Sequence, residues 1–169
     1  FGVGERMITA KSEPVFGGVY KLTAVENENG EIIPKIKCSE NVEKITIPHF
    51  KKVYRLYNRD NGKAIADYMT VYDETVDESQ PLMLFDPYAT WKTKNVCNFE
   101  ARELLVPVFL KGKRVYQSPS LKEIQSYCKQ QVDTLWDEIK RFDNPQTYYV
   151  DLSQKLWDIQ QELLRKNRN

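Results

Sequence analysis

Apolar side chains change their spacing once along this chain. Before about Gln117 they alternate with polar ones, and after it they recur every three to four residues. A period of two belongs to strands with one buried face, and a period near 3.6 to amphipathic helices. The chain is therefore confined to an α+β arrangement with strands first and helices last. Turn chemistry divides the strand region. Val19–Val25 and Ile32–Ile36 flank Asn29-Gly30, which predicts a hairpin. Val53–Tyr57 and Ala64–Val71 flank Asp60-Asn61-Gly62, residues that tolerate the positive φ of a tight reversal. Leu104–Leu110 and Arg114–Tyr116 around Lys111-Gly112-Lys113 predict a third hairpin, with Pro107 confining its strand to an edge or bulge. Residues 1–14 read as a glycine turn leading into a short helix or strand that ends at Lys11-Ser12-Glu13-Pro14.

Ser120 followed by Glu123 is a capping box, and Leu121, Ile124, Cys128, Val132, Leu135 and Ile139 then make one apolar stripe. Asn144-Pro145 is expected to stop this helix and start another, whose stripe is Tyr149, Leu152, Leu156, Ile159 and Leu163. A short connection makes the two an antiparallel pair. Trp136 and Trp157 sit beside the stripes and are expected to widen the buried face or dock the helices.

Charge excludes several partners. Lys and Arg number 25 against 24 Asp and Glu, a net charge of +1, and the balance holds on both sides of residue 119. The electrostatic footprint of a nucleic-acid binder is missing, so the aromatic set Tyr54, Tyr57, Tyr68, Tyr72, Phe85, Tyr88 and Trp91 reads as packing rather than as base-stacking. No apolar run approaches the roughly 18 to 20 residues that span a bilayer, and no secretory leader is visible, which excludes a membrane partner. Cys38, Cys97 and Cys128 are odd in number and far apart, as expected of reduced thiols in a cytoplasmic protein. The chain opens on Phe1 without an initiator methionine, as a piece of a longer protein would.

Few residues carry chemistry. His49 is the single histidine and lies in the loop-like Ile47-Pro48-His49-Phe50. One histidine and three scattered cysteines supply no metal-ligand cluster, no Gly-x-Ser-x-Gly elbow is present, and no catalytic residue is assigned. Gly2-Val3-Gly4-Glu5-Arg6 is the most suggestive stretch, because glycines let backbone N–H groups converge on an anion. Arg6 and Lys11 could add charge to that cradle, against the plainer reading of solvated cations. Lys37 and Lys44 flank the polar turn Ser39-Glu40-Asn41, which by itself reads as a solvated loop.

Phe1-Gly2-Val3-Gly4-Glu5-Arg6 leading to Gly17-Gly18-Val19-Tyr20-Lys21-Leu22 resembles the closing segment of the catalytic barrel of nicotinate phosphoribosyltransferases. The similarity continues through Lys37–Thr46, Tyr54-Arg55-Leu56-Tyr57, Ser118–Leu121, Leu135–Glu138 and Tyr148–Ser153, nearly the whole chain. The resemblance implies that residues 1–43 finish an irregular α/β barrel and that residues 44–169 form a C-terminal domain. It implies an enzyme that joins nicotinate to phosphoribosyl pyrophosphate for NAD salvage, with ATP hydrolysis coupled to turnover and Mg²⁺ on the pyrophosphate. The family's catalytic residues belong upstream of Phe1, so the isolated segment is expected to be inactive and to bind no cofactor itself. By the same resemblance the ribose 5′-phosphate lies on the glycine turn, at Gly2, Gly4, Glu5, Arg6 and Lys11, with Lys37 and Lys44 more loosely matched to basic positions of related enzymes. Where the family carries Gly after the proline, this chain has His49, which suggests a turn without positive φ. A homodimer is one expected assembly. The alternative is a non-catalytic interaction module that docks a partner through its amphipathic helices.

Overall fold

The computed structural model describes residues 18–167. Gly2, Gly4, Glu5, Arg6, Lys11 and the expected helix or strand near residues 7–10 lie outside the described residues.

The described chain is mixed α+β with antiparallel hairpins. Strands β1 (Ala24–Glu26) and β2 (Ile32–Pro34) form the first hairpin, with Gly30 at φ 78° and the Asn27 carboxamide oxygen accepting from the Asn29 and Glu31 amides. Strands β3 (Lys51–Asn58) and β4 (Ala64–Val71) pair antiparallel with Tyr54 opposite Tyr68. Gly62, at φ 67°, makes the reversal, and its amide donates to the Asn58 carbonyl at 2.8 Å. Four strands share this sheet in the order β10-β4-β3-β7, where β7 is Phe99–Glu103 and β10 is Val150–Leu152.

A further hairpin, β5 (Leu82–Asp86) with β6 (Ala89–Val96), covers one side of the sheet, and Leu56, Tyr68, Leu84, Val96 and Phe99 are buried between them. A second cluster joins Val71 and Leu152 to Leu156 of the last helix. The expected third hairpin is shorter than its apolar run suggests. Only β8 (Phe109–Leu110) and β9 (Lys113–Arg114) pair, across Lys111 and Gly112 at positive φ.

The helical region departs from its periodicity. Helix α1 (Leu121–Asp133) begins at Ser120 with the reciprocal capping box to Glu123, but it ends at Thr134, and Ile139 falls in the separate turn α2 (Asp137–Lys140). Asn144-Pro145 starts no helix. Tyr149 and Leu152 belong to the extended segment around β10, which runs parallel to β4, and helix α3 (Gln154–Lys166) is capped by Ser153. The two stripes therefore do not make the expected antiparallel pair. Helix α3 packs on β4 and β10 through Leu156, whereas α1 buries none of its residues. Trp157 meets Phe85 edge to face at 6.1 Å, and Trp136 donates its indole N–H to the Ala64 carbonyl at 3.0 Å.

Candidate functional site

The segment between the first hairpin and the central sheet is tied by backbone polarity rather than by a core. The Thr23 carbonyl accepts from both the Lys35 and the His49 amides at 2.8 Å, so the residue just before β1 holds both ends of the loop between them. Within that loop a single 3₁₀ turn, Val42–Lys44, brings the Thr46 amide to the Lys37 carbonyl at 3.2 Å. Helix α3 supports it from below, where buried Gln160 donates to the Thr46 carbonyl at 3.3 Å.

Lys37 and Lys44 are thereby brought to the two arms of one polar loop, both exposed. Sequence reasoning missed Lys21, whose ammonium donates to the Lys44 carbonyl at 2.7 Å. That carbonyl lies 23 residues away, and no local pattern announces it. Lys37 and Lys44 thus stand on this loop with the exposed Glu40 between them, and Lys21 reaches it from outside. Whether Gly2, Gly4, Glu5, Arg6 and Lys11 join them lies outside the described residues.

The proline turn corrects one expectation. His49 sits at φ 79° although it is not glycine. Its imidazole Nδ1 accepts from the Phe50 amide at 3.0 Å, and the ring stacks on Tyr72 at 6.1 Å between centroids. The neighbouring Lys51 ammonium donates to the carbonyls of Ile47 at 2.9 Å, Pro48 at 3.3 Å and His49 at 2.7 Å, so the turn is wrapped round a lysine. Burial pulls the Lys51 pKa down to about 8. Among the described residues no carboxylate hydrogen-bonds this imidazole, whose Nδ1 serves the turn instead.

A second polar group fixes the Tyr148–Leu152 segment. Arg55 and Asp67 stand opposite each other across β3 and β4 and make a two-pronged ion pair at 2.8 and 2.9 Å. The Tyr148 hydroxyl donates to the same carboxylate at 2.9 Å, with the guanidinium 5.6 Å from the ring centroid. Hydrogen bonding to Asp67 holds the Arg55 guanidinium even more firmly protonated than usual, and burial pushes the Tyr148 hydroxyl well above its ordinary range. The group is structural. Among the described residues no group of three or more His, Cys, Asp or Glu could hold a metal ion, and Cys38, Cys97 and Cys128 are free and exposed. No helix of the described residues is long and apolar enough to cross a membrane.

Known proteins give this architecture a family. The chain is 43% identical over 157 residues to nicotinate phosphoribosyltransferase of Bacillus subtilis, covering 93% of the chain and 32% of that protein. It is 33% identical to the Caenorhabditis elegans protein of the same name, covering 99% of the chain and 29% of the relative. It thus spans about a third of the length of the curated relatives it matches. The crystal structure of human nicotinic acid phosphoribosyltransferase shares its fold over 70% of the chain and 24% of that structure, with a TM-score of 0.64 and 24% identity. Residues 50–160 match the family model described as the nicotinate phosphoribosyltransferase C-terminal domain, and the chain belongs to that family.

Proposed function

We propose that this chain is the C-terminal part of an enzyme that joins nicotinate to phosphoribosyl pyrophosphate, giving nicotinate mononucleotide and pyrophosphate in NAD salvage, with ATP hydrolysis coupled to turnover. The family match over residues 50–160 carries the reading, supported by relatives that bear this enzyme's name. Residues 1–43 finish the catalytic barrel and residues 44–169 form the C-terminal domain, in a cytoplasmic enzyme that is inactive without its upstream part. On this reading Mg²⁺ and ATP serve the intact enzyme, and the isolated segment binds neither.

The contribution of this segment is positional. Backbone N–H groups of the Gly2–Arg6 turn, with Arg6 and Lys11, hold the 5′-phosphate, and Lys37 and Lys44 add positive charge beside it. Fixed donors need no reorganisation as pyrophosphate leaves and nicotinate attacks the anomeric carbon. Gly4→Asp in the full-length enzyme is expected to raise KM for phosphoribosyl pyrophosphate at least about tenfold, because like charges brought together cost several kcal/mol. An unchanged KM overturns the phosphate assignment.

A second reading, an interaction module that docks a partner or a second copy through α1, is favoured by one observation: no residue of the α1 stripe is fully buried, and Leu121 is 79% exposed. Removing residues 44–169 from the full-length enzyme separates the two. Loss of nicotinate turnover supports the first, and wild-type rates reduce the segment to an accessory.

A further inference from the structure

A cavity of about 250 Å³ opens between β4, the β5–β6 hairpin and β10. Ile65, Leu84 and Phe85 give it apolar walls, Lys92 and Lys94 lie on its rim, and Asp151 of β10 lines it. Asp151 is only 5% exposed, and among the described residues its buried Oδ1 has no hydrogen-bond partner. A carboxylate oxygen kept from water without a donor is costly, and native proteins seldom leave one so.

No donor among the described residues serves it. Asp86, also at the cavity, uses Oδ1 to accept the Tyr88 and Ala89 amides at 2.8 and 3.2 Å, closing the β5–β6 turn. Burial, with the charge of Asp86 added, pushes Asp151 up to about 6. Tyr68 faces Asp151 in register from β4, and Tyr149 lies at the mouth. The two lysines are exposed and do not bond to it.

These features specify an occupant. It must bring an N–H donor to Asp151. A bare cation would meet repulsion from Lys92 and Lys94 at the rim, so it must also carry a negative group toward them. The volume equals that of roughly eight liquid waters, just under the usual size of a small-molecule site, which suits a single substituted ring between apolar walls. We propose that this cavity binds a compact ring-bearing amino carboxylate, its ammonium donating to Asp151 and its carboxylate facing Lys92 and Lys94.

Isothermal titration of the full-length protein with 4-(aminomethyl)benzoate, benzylamine and benzoate tests this. The zwitterion is expected to bind in saturable fashion and more tightly than benzylamine. Lys92→Gln with Lys94→Gln, on exposed positions that do not endanger folding, is expected to weaken the zwitterion about tenfold while leaving benzylamine unchanged or tighter. Asp151→Asn is expected to weaken both amines about tenfold or more, and neither variant should alter any benzoate binding elsewhere on the protein. Absence of zwitterion binding, or binding that the double lysine variant leaves unaltered, overturns the proposal. Unaltered binding by a folded Asp151→Asn protein does so too. If that variant fails to fold, the lysine variant alone decides.

Discussion

Replacing Asp67 by Ala tests whether the cross-strand ion pair holds the last third of the chain against the sheet. The substitution removes two Arg55 hydrogen bonds and one from Tyr148, and it leaves a guanidinium at a site where the pair is 21% and 13% exposed. Breaking a fully buried pair costs about 3–5 kcal/mol, whereas exposed pairs contribute about 0–1 kcal/mol. The small exposure puts this one nearer the buried limit, at about 2–3 kcal/mol. Trp136 and Trp157 lie in this last third, so urea unfolding of the full-length protein followed by tryptophan fluorescence carries a signal from it. With a slope of about 1–3 kcal/mol per molar urea, the midpoint should fall by roughly 1 M. The double variant Arg55→Ala with Asp67→Ala should recover part of the loss, because no unpaired cation remains. The Asp67 amide donates to the Tyr149 carbonyl at 3.0 Å, and hydrogen exchange of residues 148–152 should quicken in Asp67→Ala as that attachment loosens. A loss below about 0.5 kcal/mol would place the pair among solvated surface bridges and refute the reasoning.

Two further substitutions probe other features. At His49, whose φ is 79°, His49→Gly should be more stable than His49→Ala by about 1 kcal/mol, since both lose the imidazole and only Gly accepts that backbone freely. Equal melting temperatures would show that the turn relaxes. Asp151, raised to about 6, keeps its proton in the folded state between about pH 4 and 6 while the unfolded chain releases it, so wild-type stability falls as pH rises through that window and stays lower above it. The melting temperature of Asp151→Asn minus that of wild type should grow from pH 4.5 to pH 7, and a difference that shrinks would mean the carboxylate is ion-paired.

Local chemistry made some elements legible and tertiary choices hid the others. The β3–β4 hairpin follows from Asp60-Asn61-Gly62, and the start of α1 from Ser120 and Glu123, because each turn or cap is satisfied within a few residues. The β5–β6 hairpin has no glycine at its reversal; the Asp86 carboxylate accepts the turn amides instead. Tyr149, Leu152 and Leu156 are spaced like one helical stripe, yet they span a strand and the helix that follows it, with Ser153 as the cap between them and Glu74 accepting the Ser153 hydroxyl at 2.7 Å. The same limit governs the site. Lys37 and Lys44 could be picked out as cations flanking a turn, whereas Lys21 and Asp151 are defined by partners, present or missing, far away in sequence.

Helix α1 shows where periodicity stops being informative. Its stripe is real, yet what anchors the helix is polar. Gln131 accepts from the Tyr57 hydroxyl at 3.1 Å and from Arg102, and the Lys63 ammonium donates to the Asp133 and Leu135 carbonyls at 2.9 and 3.1 Å, capping the helix C-terminus. Each such bond contributes about 1 kcal/mol net, enough to fix the orientation of a helix whose apolar face is only half covered at Ile124 and Val132 and buries no residue fully. The spacing of Leu121, Ile124 and Val132 thus establishes that a face is apolar. Which surface α1 meets is decided by Gln131 and Lys63, residues that carry no periodic signal at all.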